Sequence, residues 1–163
     1  MTNTMERFGY IPPPTLNAPN LPGLLVHDVD LEHMKDIREM NQVIFKEQRI
    51  INSFEKEDLM VLEARLNGEP VGFKVGYREN SKIFYSAKGG VLPSFRRKGI
   101  AIVLLNDMMR RVAEMGYQYF AFDTFPNLHP GMTILAMENG FTLKKADYNA
   151  VYKEYRLRFE KKL

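Results

Sequence analysis

The segment Val91-Leu92-Pro93-Ser94-Phe95-Arg96-Arg97-Lys98-Gly99-Ile100-Ala101 decides how the rest of this 163-residue chain is read. An apolar run ends at Pro93, three cations follow, and Gly99 opens a stretch in which Ile100, Val103, Leu104, Met108 and Val112 recur at helical spacing. A strand therefore passes into a helix through a short basic turn. Such a turn aims several backbone N–H groups at one point, beside the positive end of the helix dipole, and this suits an anion such as a phosphate oxygen. Gly99 lets the anion approach with no side chain between, and Ala101 keeps the first helical turn uncluttered. By itself the loop reads equally well as a basic turn that solvates its charges. It is neither the G-x-x-x-x-G-K-S/T phosphate loop nor the G-x-G-x-x-G dinucleotide turn, so nothing in it supports nucleoside triphosphate or NAD binding.

Downstream, the helical period runs from Ile100 to Met115 and Gly116 is placed to cap it. Tyr117 to Asp123 is an aromatic-rich strand, Gly131 to Asn139 a second helix stopped by Gly140, and Phe141 to Leu143 with Ala150 to Phe159 forms a closing hairpin. Upstream, Lys82 to Leu92 is a strand in which Gly89-Gly90 permits a bulge or a close backbone approach. Before it, Asp58 to Leu66 and Pro70 to Tyr77 flank the tight-turn pair Asn67-Gly68 as a hairpin. Leu24 to His27 fits a first strand, Asp30 offers a side-chain cap, and Met34, Ile37, Met40 and Ile44 give the following helix one buried face. The order predicts a mixed α/β (α+β) domain and not a regular doubly wound one. Residues 10–23 hold five of the nine prolines, so 1–22 is expected to be an extended N-terminal arm and 23–163 a single domain.

Composition narrows the function classes. Charged residues make up 26% and hydrophobic ones 45%, near globular averages, and the apolar runs are too short to span a bilayer, so no membrane partner is expected. The chain has no cysteine, which removes disulfides, thiolate metal sites and cysteine nucleophiles and suits a reducing cytoplasm. Its start, MTNTMERFGYIPPP, lacks the basic and apolar regions of a secretory signal. The net charge of +3 is a slight excess of cations mixed among carboxylates, so nucleic acid is not expected. His27, His33 and His129 show no metal-ligand spacing, and no metal is expected.

Arg96-x-x-Gly99-x-Ala101 after Val91-x-Pro93 resembles the acetyl-CoA pyrophosphate loop of the GNAT superfamily of N-acyltransferases. Thr124-x-x-Asn127, Met132-x-x-Leu135 and Gly140-Phe141 resemble the superfamily's next motif, and the element order from about residue 22 onward agrees with it. The resemblance implies a central, mostly antiparallel sheet flanked by helices, and acetyl-CoA as cofactor. It implies that the Lys82–Leu92 and Tyr117–Asp123 strands splay apart. Pantetheine would then pair with Gly90, Val91 and Leu92, and the pyrophosphate would rest on Arg96, Arg97, Lys98, Gly99, Ile100 and Ala101. Asn127 or His129 would approach the pantetheine arm.

The activity implied is transfer of the acetyl group to a primary amine of a small molecule or peptide, by direct attack on the thioester. That reaction needs a base for the ammonium, donors for the oxyanion and a group that protonates the leaving thiolate. The tyrosine common in the superfamily's second helix is missing, since Ile134 and Ala136 stand at the two positions it could take. Tyr85 and Asp123 are the remaining proton-transfer candidates, although Tyr85 adjoins Phe84 as a core aromatic would and Asp123 can simply tie down the Thr124 loop. Glu47 falls where the superfamily builds its acceptor site, against a default of solvent exposure. The missing tyrosine motivates the rival reading of a catalytically silent acyl-CoA sensor. A homodimer is the oligomeric alternative left open.

Overall fold

A computed structural model describes residues 20–163, which hold seven β-strands and three α-helices. Most of the arm expected over 1–22 therefore lies outside the described residues. These residues divide into two compact units, one covering 20–122 with 162–163 and the other covering 123–161.

In the larger unit, β1 (Leu24–Asp28), β2 (Met60–Leu66), β3 (Glu69–Arg78) and β4 (Ile83–Val91) form successive antiparallel neighbours, and β5 (Tyr119–Thr124) joins β4 in parallel. The expected 58–77 hairpin is β2 and β3, turning at Asn67 and Gly68 with φ of 51° and 82°. Those positive angles are why the Asn-Gly pair marks the turn. Helix α1 (Lys35–Phe45) covers one face, where Met34, Ile37 and Met40 join Ile50, Val61, Phe73 and Val75 in a core cluster. Helix α2 (Ile100–Glu114) packs against β2, β3 and β4. It lies on the opposite face, because a Cβ on Gly72 would come within 3.3 Å of Leu104 and one on Gly76 within 3.2 Å of Met108.

Two sequence expectations change in detail. Asp30 provides no side-chain cap; Leu31–His33 is a short 3-10 turn, held by the His33 N–H donating to the Asp30 carbonyl, and α1 starts after it. The bulge in β4 is not at Gly89-Gly90. Lys88 pairs with Val75 and Ser86 with Gly76, so the extra residue is Ala87, while both glycines sit in register opposite Lys74 and Phe73. Their close-approach role holds: a Cβ on Gly89 would stand 3.0 Å from the Phe73 carbonyl oxygen, and one on Gly90 3.1 Å from Ile44. Gly116 caps α2 as expected, at φ 97°, with its own N–H on Ala113 O and the Tyr117 N–H on Val112 O, a Schellman pair.

The smaller unit holds α3 (Pro130–Glu138) and the antiparallel hairpin β6 (Thr142–Asn149) with β7 (Glu154–Lys162). The closing hairpin is thus longer on its first arm than Phe141–Leu143, and Ala150 is in the turn rather than in the second strand. Sequence reading cut β6 short because Lys144, Lys145 and Asp147 look like loop, whereas Asp147 pairs across the hairpin with the oppositely charged Arg156, at 2.9 Å. Among the described residues no helix is long and apolar enough to cross a membrane.

Candidate functional site

Strand β4 pairs with β5 only at Ile83, Phe84 and Tyr85, opposite Tyr119, Phe120 and Ala121, yet it continues to Val91. From Ser86 onward that edge has no strand partner among the described residues of the larger unit, so its N–H and C=O groups are available to an extended ligand. The edge runs directly into the basic loop. Pro93–Phe95 forms a 3-10 turn, and Arg96 folds back so that its Nε donates to the Val91 carbonyl at 3.2 Å. Arg97 and Gly99 then take φ of 63° and 81°, and Gly99 is the N-cap residue of α2.

The α2 ladder begins with the Val103 N–H donating to the Gly99 carbonyl at 3.1 Å. The N–H groups of Ile100, Ala101 and Ile102 precede it and have no helical carbonyl to receive them. Arg96, Arg97 and Lys98 are exposed around this helix start. Orphan donors and the helix dipole meet at one place, directly after three consecutive exposed cations, and a diphosphate meets their chemistry. The sequence candidates Gly90, Val91, Leu92 and Arg96 to Ala101 are thus one continuous edge and loop.

The bulge at Ala87 decides which way the side chains of this edge point. Before it, Tyr85 lies opposite Tyr77, their rings 5.7 Å apart; after it, Lys88 lies opposite Val75 on the α1 face. There the Lys88 ammonium donates to Glu47 Oε1 at 2.6 Å and to the Arg49 carbonyl at 2.9 Å, 4.4 Å from the Phe45 ring centroid. Buried Asn41 of α1 holds the same segment from below, its Nδ2 donating to the Glu47 carbonyl at 2.8 Å. Glu47, singled out from sequence, is therefore beside β4 but locked in an ion pair. Lys88 and Asn41 were missed; the only signal was a lysine next to a glycine pair.

The other candidates belong to the smaller unit. Asn127 is exposed and its Nδ2 donates to Glu154 Oε2 at 3.0 Å, while His129 is exposed at the N-cap of α3. Asp123 borders a polar pocket of about 290 Å³ lined by Lys144, Lys145, Asp147, Arg156, Arg158 and Glu160 of the hairpin. In that pocket Arg156 clasps Asp147 with two bonds, at 3.1 and 2.9 Å, which holds its carboxyl below the usual range. Asp123 thus sits among charged side chains of the hairpin. Ile134 is exposed and Ala136 buried on α3.

Sequence reasoning also missed Lys74. It lies in β3 between Gly72 and Gly76, 7% exposed, and makes no ion pair or hydrogen bond among the described residues. Burial pushes its ammonium down to about 8. Because the folded value lies below the unfolded one, the unfolded chain binds more protons between about pH 8 and 10.5, and stability rises with pH across that window. Lys74→Met should therefore stabilise the protein near pH 7, by on the order of 3 kcal/mol, with the gain fading as pH approaches the unfolded lysine value. Thermal midpoints of both proteins across that range check this.

Residues 47–127 match the family model described as Acetyltransferase (GNAT) domain. No curated protein matches the chain in sequence. Solved structures do match in fold. A GNAT family acetyltransferase from Elizabethkingia anophelis with acetyl-CoA bound has a TM-score of 0.75 at 15% identity, over 87% of this chain and 99% of that one. The ribosomal-protein-S18-alanine N-acetyltransferase from Escherichia coli gives 0.73 at 11%, over 85% and 93%. Arabidopsis thaliana Naa50, in complex with the bisubstrate analogue CoA-Ac-MVNAL, gives 0.72 at 16%, over 86% and 99%.

Proposed function

This chain belongs to the GNAT superfamily of acetyltransferases, and from that premise we propose that it transfers the acetyl group of acetyl-CoA to a primary amine of a small molecule or a peptide terminus. The observation that carries the proposal is the continuous unpaired edge of β4 running into the helix start at Ile100. Pantetheine lies along Gly90 to Leu92 with its amides bonded to the strand, and the diphosphate caps the N–H groups of Ile100 to Ile102, countered by Arg96, Arg97 and Lys98. Asn127 and His129, both in the smaller unit, are the other two residues that the resemblance offers for the cofactor.

The acceptor amine attacks the thioester carbonyl from the α1 face, forming the C–N bond. The oxyanion is received by a backbone N–H of the β4 edge, near Val91, and the C–S bond then breaks. Tyr85 is half-buried and lies on the same face as Glu47 and Lys88, and we assign it to proton transfer at the departing thiolate, its hydroxyl giving a proton to the sulfur and taking back the one that the amine nitrogen loses. Asp123 is the alternative group. The ion pair of Glu47 with Lys88 shapes the acceptor side. Peptide acceptors gain support from the relatives in fold, one named for a ribosomal-protein alanine and one bound to a peptide-like bisubstrate analogue. The cysteine-free composition suits the cytoplasm as its compartment.

A second reading, a silent acyl-CoA sensor, is favoured by one observation, the absence of a tyrosine at Ile134 and Ala136 in α3. The two part on turnover. Both predict that acetyl-CoA raises the thermal midpoint as the site saturates. Only the enzyme releases free thiol above the hydrolysis blank when a panel of small amines and peptide N-termini is added. We expect release with at least one amine, and a thermal shift without release across the panel would establish the sensor instead.

A further inference from the structure

We infer that Lys74 is a self-acetylation site, its amine taking the acetyl group from acetyl-CoA bound along β4. The inference rests on the cofactor placement proposed above. It starts from three observations on one face of the sheet.

First, Lys74 pairs with Gly89 across β3 and β4, and its Cγ stands 3.3 Å from the point that a Cβ on Gly89 would occupy. The missing side chain is what leaves room for the lysine stem to lie over β4. Second, Gly72 and Gly76 flank Lys74 on its own strand, so glycines also border the stem along β3, while Leu104 and Met108 of α2 close over those glycines. A fully extended lysine stem is longer than the roughly 4.8 Å between neighbouring strands, so from Gly89 it is long enough to span β4 to its far edge. That is the edge left unpaired beyond Tyr85. Third, the amine has neither ion pair nor hydrogen bond among the described residues, unlike Lys88 on the opposite face, which Glu47 holds.

A cofactor entering from the loop at Ile100 and running back along this edge carries its thioester past Val91 and Gly90 toward Gly89. The thioester then has two lysines near it on opposite faces, one committed to a carboxylate and one with no ion pair or hydrogen bond among the described residues. Burial lowers the proton affinity of Lys74 to about 8, so a far larger share of it is the nucleophilic free base than for a solvated lysine. Its lone pair forms the C–N bond to the acetyl carbon, the C–S bond breaks, and the amine proton goes to the thiolate, giving coenzyme A thiol. No other reactant is needed. The product amide carries no charge, which ends the penalty of a buried ammonium and leaves an acetyl group in the channel, where it obstructs the next cofactor.

The test uses the full chain incubated with acetyl-CoA and no acceptor, followed by intact mass and peptide mapping, with the thermal midpoint recorded in parallel. The expected result is one acetyl group per chain, on Lys74, at a rate that saturates with acetyl-CoA. The modification should be lost in Lys74→Arg and in Lys74→Met, whose thermal midpoints report that they fold. A thermal shift by acetyl-CoA with no acetyl group on Lys74, or with acetyl groups spread over exposed lysines only, overturns this inference and leaves the cofactor reading standing. No thermal shift and no acetylation overturns both.

Discussion

Gly99→Trp should abolish the rise in thermal midpoint that acetyl-CoA gives the parent protein, and with it all cofactor-dependent thiol release. Two effects act at this residue and can be told apart. Gly99 sits at φ 81°, where any L side chain costs about 1–2 kcal/mol. It is also the N-cap residue, directly before the orphan N–H groups of Ile100, Ala101 and Ile102. An indole there occupies the volume a phosphate needs, whereas Gly99→Ala adds the backbone strain with little bulk. The alanine variant should therefore melt earlier yet still gain from acetyl-CoA, and the tryptophan variant should gain nothing at millimolar cofactor. If the tryptophan variant gains as much as the parent, the diphosphate is bound elsewhere.

The largest stability loss should come from Gly76→Ala, at about 3 kcal/mol, near the upper end of ordinary overpacking. A Cβ on Gly76 would lie 2.5 Å from Phe84 Cε1 and 2.9 Å from the Tyr85 carbonyl oxygen. The ring has little freedom to yield, since Phe84 is fully buried and packs edge-on to Tyr117 at 5.4 Å and parallel to Phe120 at 6.4 Å. Tyr117 is itself anchored by its hydroxyl to Asp58, and burial together with that bond raises it to about 12. The strand backbone cannot yield either without breaking the β3 to β4 ladder beside the bulge. Urea unfolding followed by far-ultraviolet circular dichroism, suited to a chain without tryptophan, reads this as a lower midpoint at unchanged slope. Gly116→Ala makes the contrast: nothing lies within 4 Å of its Cβ, so only the cost of φ 97° remains.

The sequence made the loop and its flanks legible because each carries local signals. A proline ends β4, cations mark the turn, Gly99 is needed at a positive φ, and the period of α2 begins at once. The Asn67-Gly68 turn and the Gly116 cap are legible for the same reason, that the residue type answers to its own backbone angle. What stayed hidden depends on partners distant in sequence. The Ala87 bulge is set by pairing with β3, β6 is held by cross-strand charge, and Lys74 reads as an ordinary polar residue in a strand until α2 is laid over it. Glu47 was found by its place in the element order, yet its ion pair with Lys88 joins residues 41 positions apart and leaves no local trace.

The single unpaired residue Ala87 acts as a phase shift in the strand. Side chains alternate with period two, so Phe84 and Ser86 share a face with Gly76, and without an extra residue Lys88 would follow them there. The count of residues between Tyr85 and Gly89 is thus what puts the Lys88 cation on the α1 side and the glycine under the Lys74 stem. Any one-residue insertion or deletion in this short interval exchanges those assignments. The chain can vary its chemistry along β4 by substitution, but its length there is fixed.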